Sequence, residues 1–258
     1  MEREEALVGG NLGGAVRVGD TVRRATGPWT PAVHALLRYL ETVGFAEAPR
    51  VLGIDDLGRE ILTFLEGDAA DAHDPWPSWT RSTDALHQAG ATLRRYHDLV
   101  ADFEPPPDSV WRFTTGAPEP GGVICHNDWA PYNVAWRDDR IYGVFDWDVA
   151  GPGDREQDLA FAAWQWVPLH HPGLLDDDVS DQGERLRQMC DAYGLEDRAG
   201  FAARIPRRAE VSVERILRGA EAGDPGCVSL RDGGHVAEMQ RTVAHLEATV
   251  GELEAAIS

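Results

Sequence analysis

The sequence predicts an α+β fold in which a small antiparallel sheet precedes a larger, mainly helical part. Short apolar runs separated by turn residues fill the first 66 positions, whereas later stretches carry apolar residues at helical spacing. With 258 residues, 43% of them hydrophobic, the chain is long enough for two lobes that each bury a core. We therefore expect an N-terminal lobe at residues 1–66 and a C-terminal lobe at residues 67–258.

The predicted N-terminal lobe combines two pairs of strands with one helix. The first pair is expected within residues 7–24, where two clusters of turn residues, the first rich in glycine, mark tight turns. The second pair is expected at residues 50–54 and 60–64. Between the pairs, residues 31–43 carry apolar side chains at spacings of three and four, which indicates a helix with Thr30 as its N-cap.

The predicted C-terminal lobe is mainly helical. A long amphipathic helix is expected over residues 82–100, and a short strand at Val123 to Cys125 precedes a hairpin over residues 134–145. Further helices are expected directly after Asp158 and at residues 184–193, 207–217 and 235–257. The last of these carries an apolar stripe that either docks on its own lobe or forms a dimer seam. The sequence therefore leaves a monomer and a homodimer open.

The charge of the chain bears on its partners. It has 24 basic and 44 acidic residues, a formal net charge of −20, and every basic residue is arginine. Nucleic acid is not an expected partner, because affinity for a polyphosphate backbone depends on basic clusters. An acidic surface would attract a cationic small molecule, although excess carboxylate also simply keeps a protein in solution.

Cysteine usage and hydropathy predict a cytoplasmic protein with no membrane partner. Cys125, Cys190 and Cys227 are widely spaced and odd in number, which is typical of free thiols in a reducing compartment. The first ten residues have no apolar core of the kind found in signal peptides. No apolar run approaches the roughly 20 residues that span a bilayer.

The densest polar stretch of the chain runs from Val123 to Ala160. In it, His126, Asp128 and Asn133 form the pattern H-x-D-x-x-x-x-N, and Asp146 follows a further apolar run. Phosphoryl transfer needs a carboxylate at the attacking hydroxyl and oxygen ligands that hold magnesium against nucleotide phosphates. Asp128, Asn133 and Asp146 supply that set of groups.

Other kinds of site fit the same stretch less well. A zinc site would use His or Cys in pairs, whereas His126 stands alone beside Asn127. A serine nucleophile would be expected in an elbow such as G-x-S-x-G, which this sequence lacks. A glycosidase needs only two carboxylates, which are too common here to test that possibility.

Three segments of the stretch resemble a known family. HNDWAPYN at His126 to Asn133, VFDWD at Val144 to Asp148 and DREQDLA at Asp154 to Ala160 look like the motifs of the aminoglycoside phosphotransferase family. The spacing of these motifs and the N-terminal strand pattern extend the resemblance over most of the chain up to about residue 170. The resemblance implies a protein-kinase-like, two-lobed fold and an enzyme that transfers the γ-phosphoryl group of a nucleotide to a hydroxyl of a small molecule.

The resemblance also implies roles in the C-terminal lobe. Asp128 corresponds to the catalytic base or hydroxyl-orienting group, and Asn133 and Asp146 correspond to ligands of Mg²⁺. His126 is expected to brace the catalytic loop by hydrogen bonding, and Asp158 to support that loop from behind.

In the N-terminal lobe the resemblance implies a nucleotide site for ATP, with GTP also possible. Gly10 and Asn11, in the glycine cluster, would cover the nucleotide phosphates. Thr63 and Leu65 would belong to the hinge, at about residues 63–67, whose backbone groups meet the adenine edge.

The sequence departs from the family pattern at the phosphate-binding cation. The usual lysine of the third strand is missing, and strand alternation puts Arg24 on the nucleotide side and Arg23 opposite. The glutamate expected on the following helix is also missing, since Val33 and His34 occupy its position and Glu41 lies far along the helix. Both departures leave open a non-catalytic nucleotide-binding module as an alternative.

Substrate binding is expected from carboxylates that follow Asp146. Asp148, Asp154 and Glu156, together with the acidic run from Asp176 to Asp178, could hold the ammonium groups of a cationic substrate. The expected substrate is an aminoglycoside or another antibiotic-like compound, in line with the family's association with resistance. A metabolic kinase acting on choline, homoserine or a sugar is the alternative.

Overall fold

The computed structural model describes residues 3–7, 14–70, 76–172 and 181–258. The chain divides into two compact units. Unit 1 comprises Met1–Pro77 and Arg95–Arg155, and unit 2 comprises Ser78–Arg94 and Glu156–Ser258. The lobe boundary between residues 66 and 67 stays a prediction.

Unit 1 begins with a five-stranded antiparallel sheet and one helix. Its elements are, in chain order, β1 (Glu5–Ala6), β2 (Val16–Val18), β3 (Thr21–Ala25), α1 (Thr30–Thr42), β4 (Val51–Ile54) and β5 (Arg59–Thr63). The strand order in the sheet is β1-β2-β3-β5-β4. The two predicted strand pairs and the helix between them are confirmed, whereas β1 was not predicted.

Helix α1 packs on the sheet through the apolar face that the sequence indicates. Val33, Leu36, Leu37 and Leu40 are all 0–1% exposed. The predicted N-cap is wrong, because Thr30 is already the first residue of the helix. The Thr30 hydroxyl instead accepts a hydrogen bond from the Gly27 N–H at 2.9 Å, so it fixes the turn that enters the helix.

The rest of unit 1 contains two short antiparallel strand pairs. The C-terminal end of α2 (Thr83–Leu99) belongs to it, followed by β6 (Val123–Cys125), β7 (Val134–Arg137), β8 (Arg140–Val144) and β9 (Gly151–Gly153). Strand β6 pairs with β9, and β7 pairs with β8 in the predicted hairpin. Two 3₁₀ turns, Pro131–Asn133 and Trp147–Val149, directly follow the loops that carry the polar motif.

Unit 2 is helical in its described part. Besides most of α2, it contains α3 (Arg155–Trp166), α4 (Gln182–Tyr193), α5 (Arg204–Glu221), α6 (Pro225–Asp232) and α7 (His235–Ile257). Helix α7 packs against α4, α5 and α6. Its stripe residues Val236, Met239, Leu246 and Leu253 are at most 8% exposed. Docking within unit 2 therefore buries these four residues, whereas Val243 and Val250 of the same stripe are half-buried. The choice between a monomer and a homodimer stays a prediction.

Two further features of the described elements are the state of the cysteines and the hydropathy of the helices. All three cysteines are buried and free, as predicted. Among the described residues, the structure contains no helix whose length and hydropathy would suit a membrane span.

Candidate active site

The polar motif lies on loops that short, buried strands hold in place. Asp128 follows β6, whose residues are at most 2% exposed, and Asn133 ends the 3₁₀ turn before β7. Asp146 follows β8, and the Phe145 N–H donates to the Asn133 carbonyl at 2.9 Å. That backbone bond brings the segments of Asn133 and Asp146 side by side. The sequence-predicted trio of Asp128, Asn133 and Asp146 therefore lies together within unit 1.

The Asp128 carboxylate is held by two donors. Tyr132 Oη donates to Asp128 Oδ1 at 3.0 Å, and Asn133 Nδ2 donates to Asp128 Oδ2 at 2.7 Å. Asn133 Nδ2 also bonds the Asp128 carbonyl at 2.9 Å. Both oxygens are thus oriented by neighbours in the same loop, as a group that must meet a substrate hydroxyl requires.

A magnesium ion would suit the oxygens that remain. Because the amide nitrogen of Asn133 makes both of its bonds to Asp128, the amide oxygen is left as an acceptor, and within the described ranges no donor is bonded to it. The Asp146 carboxylate is 30% exposed. Amide and carboxylate oxygens are the ligands that Mg²⁺ prefers, so the donor set fits this ion.

His126 links the catalytic loop to the segment before Asp146. Its Nε2 lies 3.1 Å from the Phe145 carbonyl, and the Asp128 N–H donates to its Nδ1 at 3.2 Å. These partners fix the tautomer with the proton on Nε2. The ring is 0% exposed and lies edge-on to Trp147, with centroids 4.6 Å apart. This arrangement supports the predicted bracing role of His126.

Two residues of the site adopt left-handed backbone conformations. Asn127 has φ 67°, and Asp146 has φ 60° with ψ 58°. Asn and Asp tolerate this region better than other residues with a side chain, and such conformations cluster at functional sites. Asn127 Nδ2 donates to the Val149 carbonyl at 3.1 Å, which ties the turn before Asp128 to the segment after Asp146.

Arg24 of β3 reaches the same site and contacts three carboxylates. Its Nε bonds Glu60 Oε1 at 2.5 Å, its Nη1 bonds Asp146 Oδ1 at 3.2 Å and its Nη2 bonds Asp148 Oδ1 at 2.6 Å. The neighbouring Arg23 instead lies 4.0 Å from Asp55. Arg24, and not Arg23, therefore faces the predicted metal ligand Asp146, while its contact with a nucleotide stays a prediction.

Glu60 receives a second partner from α1. His34 Nε2 lies 2.7 Å from Glu60 Oε2, and both side chains are nearly buried, at 7% and 2% exposure. A carboxylate thus does accompany the strand cation, but it comes from β5, while the helix contributes a histidine at the position where a glutamate was expected.

The charges in this cluster shift one another's pKa values. Burial alone would raise the pKa of Glu60, but the hydrogen bond from His34 and the charge of Arg24 outweigh it and lower that pKa. Burial by itself would lower the pKa of Arg24, yet the three carboxylates around it raise that pKa. Burial raises the pKa of Asp148 to about 6, with Arg24 opposing the rise and Asp146 adding to it. The Arg24 guanidinium therefore stays charged, and its charge compensates part of the cost of burying Glu60 and Asp148.

Leu65 lies directly after β5, where the hinge is predicted. In the part of the chain that the structure describes, its backbone N–H and C=O form no hydrogen bond. A Cβ added to Gly143 would lie 2.7 Å from Leu65 Cδ1, so only glycine allows β8 to approach this segment so closely. Thr63 is different, because its backbone N–H already donates to the Arg50 carbonyl at 3.0 Å and its hydroxyl accepts from the Arg50 N–H at 2.8 Å.

The other predicted site residues have varied surroundings. Asp148 faces Arg24 and also lies 3.8 Å from Arg112 Nη1. Asp154 is exposed. In unit 2, Glu156 pairs with Arg204 at 2.7 Å, and Asp158 is 0% exposed in the first turn of α3. Gly10, Asn11 and the run from Asp176 to Asp178 lie outside the described residues.

Sequence reasoning missed Glu60, His34 as its partner, and Tyr132. Glu60 and Arg24 are directly opposite each other in the pairing of β3 with β5. Aligning the two predicted strands as antiparallel neighbours would have placed the two residues together, had the pairing register been known. Tyr132 lies within the quoted motif, but nothing in the spacing shows which way its hydroxyl points.

Comparison with known proteins gives one family and several relatives. Residues 111–201, which include the trio, match the phosphotransferase enzyme family. A trifolitoxin immunity protein of Rhizobium leguminosarum bv. trifolii is 38% identical over 220 residues, which cover 80% of each chain.

Two solved structures resemble the whole chain. An amicoumacin kinase, hAmiN, in complex with AMP-PNP, Ca²⁺ and Ami has a TM-score of 0.60 at 13% identity, covering 98% of this chain and 88% of that one. A choline/ethanolamine kinase family protein of Mesorhizobium loti has a TM-score of 0.56 at 20% identity, covering 99% and 92%. These likenesses confirm the predicted α+β, kinase-like fold.

Proposed function

The chain belongs to the phosphotransferase enzyme family, and from that premise we propose that it transfers the γ-phosphoryl group of ATP, with Mg²⁺, to a hydroxyl of a small cationic molecule. Its class is that of a small-molecule phosphotransferase. The nucleotide, the metal ion and the acceptor belong to the proposal. The observation that carries it is the joint placement of Asp128, Asn133 and Asp146 with Arg24 in unit 1.

The transfer assigns one task to each of these groups. The acceptor hydroxyl oxygen attacks the γ-phosphorus, the bond to the β–γ bridging oxygen breaks, and Asp128 takes the hydroxyl proton. Tyr132 and Asn133 keep the Asp128 carboxylate oriented through their bonds to its two oxygens. Mg²⁺ held by Asn133 and Asp146 would neutralise phosphate charge when bound.

The nucleotide is assigned to the sheet side of unit 1. Arg24 offers a fork of donors that suits two phosphate oxygens at once. Among the described residues no hydrogen bond occupies the backbone N–H and C=O of Leu65, so both groups could meet the polar edge of a purine. Adenine and guanine differ at that edge, and the Leu65 backbone supports a purine without favouring one, so ATP is proposed and GTP is the variant to compare.

The acceptor is proposed to be a cationic, antibiotic-like molecule. The net charge of −20 favours the approach of a cation. In unit 1, Asp154 is exposed, and Asp148 would exchange its arginine partner for an ammonium group of a substrate. Glu156, in unit 2, is paired with Arg204. The 38% identical relative is named for immunity to a toxin, and a kinase of similar fold bears the name of amicoumacin, so both names favour a toxin or antibiotic as acceptor.

A metabolic kinase is the second candidate, since one structure of similar fold belongs to a choline/ethanolamine kinase family. The third alternative, a non-catalytic nucleotide-binding module, rested on the missing lysine and glutamate. Arg24 and Glu60 now supply a cation and a carboxylate that contact each other at 2.5 Å, and this pair favours the enzyme.

A substrate panel tests the proposal. The protein is incubated with ATP, Mg²⁺ and one acceptor at a time, chosen from aminoglycosides, other antibiotics, choline, ethanolamine, homoserine and sugars. The mass of each acceptor is then measured by mass spectrometry. The proposal expects a gain of one phosphoryl group on a cationic antibiotic. Phosphorylation of choline or homoserine alone would favour the metabolic kinase, and binding of ATP without transfer to any acceptor would favour the binding module.

A further inference from the structure

Glu60 has an unusual position for a carboxylate. It lies in the interior of β5, directly opposite Arg24 of β3, and it is 2% exposed. A buried carboxylate is costly unless it is paired and hydrogen-bonded. Both of its oxygens are used, Oε1 by Arg24 Nε at 2.5 Å and Oε2 by His34 Nε2 at 2.7 Å.

The His34 side of this pair is rigidly held. His34 lies on α1 between residues that anchor the helix, since Val33 and Leu37 are each 1% exposed and Leu36 is 0% exposed. His34 is itself only 6% exposed. His34 therefore transmits the position of α1 to the carboxylate on the sheet.

The Arg24 side of the pair has a geometric consequence. A guanidinium is planar, so a bond to Nε fixes the plane and the direction of the two terminal nitrogens. Those nitrogens, Nη1 and Nη2, are the ones that lie beside Asp146 and Asp148. A lysine ammonium in the same place would be a single rotating point charge, for which such an orienting contact would have no comparable effect.

We propose that Glu60 and His34 are positioning residues for Arg24, which hold its Nε edge so that its two terminal nitrogens grip the nucleotide phosphates. This inference rests on the proposed function, because it requires nucleotide phosphates next to Asp146. On nucleotide binding, Nη1 and Nη2 exchange carboxylate partners for phosphate oxygens, while the Nε contact with Glu60 stays.

The test measures binding of ADP with Mg²⁺ by calorimetry, with GDP in parallel, together with the KM values for nucleotide and acceptor. Glu60→Gln keeps the shape of the side chain but removes its charge, and we expect nucleotide affinity to fall about tenfold, which corresponds to about 1.4 kcal/mol. His34→Ala should weaken nucleotide binding several-fold. His34→Gln, whose amide nitrogen can occupy the place of the imidazole Nε2, should restore most of that loss. The KM for the acceptor should stay unchanged in all three.

A matched control comes from the turn between β4 and β5. There Arg59 Nε, in the residue before Glu60, donates to Asp55 Oδ2 at 2.8 Å, whereas the bonds of Arg24 go to Glu60, Asp146 and Asp148. Asp55→Asn should leave nucleotide affinity as in the wild type. In a double-mutant cycle, His34→Ala should have no further effect on nucleotide binding in the Glu60→Gln background, because the two residues act as one unit.

The outcomes separate this inference from the proposed function. If the wild type binds ADP or GDP and the variants bind it equally well while unfolding at lower urea concentration, the pair is only structural and the inference is overturned. If the wild type binds neither nucleotide, the proposed function fails and the inference falls with it. If Glu60→Gln does not fold, nucleotide binding by His34→Ala is compared with that by His34→Gln, and this comparison alone tests the inference.

Discussion

Replacement of His126 by alanine should both destabilise unit 1 and misplace the Asp128 carboxylate, the proposed catalytic base. The change removes the acceptor for the Asp128 N–H and the donor to the Phe145 carbonyl. A buried polar group left without a partner costs about 1–3 kcal/mol, and loss of a buried ring adds a cavity term. The free energy of unfolding should therefore fall by about 3–5 kcal/mol, near the upper end of single substitutions.

Two further variants each keep one of the two His126 hydrogen bonds. His126→Asn places an oxygen near the Nδ1 position and should keep the Asp128 N–H satisfied, whereas His126→Gln places a nitrogen near Nε2 and should keep the Phe145 carbonyl satisfied. Because only the first bond reaches Asp128, the proposed catalytic base, His126→Asn should retain more activity than His126→Gln at similar stability.

Urea unfolding followed by tryptophan fluorescence measures the stability, and initial rates of phosphoryl transfer measure the activity. The exposed His87 of α2 provides a control, since His87→Ala should change stability by less than about 0.5 kcal/mol. A loss below about 1 kcal/mol for His126→Ala together with unchanged turnover would refute the bracing role.

Three further predictions follow from other contacts. Tyr132→Phe removes the 3.0 Å bond to Asp128 Oδ1 and should change kcat or the acceptor KM up to about tenfold without unfolding the protein; steady-state kinetics equal to the wild type would contradict it. Burial, assisted by the charge of Arg81, lowers the pKa of His170 to about 4. Neutral His170 therefore stabilises the folded protein by at most about 3 kcal/mol above pH 6.5, and this stabilisation is lost as the pH falls from 6.5 towards 4. Urea midpoints of the wild type and His170→Gln against pH measure this, and an NMR pKa for His170 near 6.5 would contradict it. The three buried cysteines should react with a thiol reagent only after denaturation, Cys190 least of all because burial raises its pKa to about 12; rapid labelling of Cys190 in the native protein would show the opposite.

Local patterns in the sequence were sufficient for most elements of the fold. Helix α1 and the hairpin of β7 and β8 follow from apolar periodicity and turn residues, which act over a few positions. The short β1, β9 and α6 were missed because two to eight residues carry too little periodicity. Thr30 has the composition of a cap, but the turn that begins at Gly27 uses its hydroxyl first.

The candidate site likewise contains residues that local sequence patterns predict and a residue that they do not. Asp128, Asn133 and Asp146 lie in one stretch of sequence, so the motif and its resemblance to a known family are sufficient to predict them. Glu60 could not be assigned in this manner, because its relation to Arg24 depends on the register between β3 and β5 and not on anything near it in the chain. The carboxylate expected on the helix therefore lies on β5 instead.

The central claim is that the centre formed by Asp128, Asn133 and Asp146 moves a phosphoryl group from a nucleotide to a hydroxyl. The most direct measurement uses ATP labelled with ¹⁸O in the non-bridging γ-phosphoryl oxygens and follows the label by mass spectrometry in the wild type and in Asp128→Asn. The acceptor should gain one phosphoryl group with all of the label, and Asp128→Asn should slow this transfer at least about 100-fold. Label released only as inorganic phosphate, or undiminished transfer by Asp128→Asn, would contradict it.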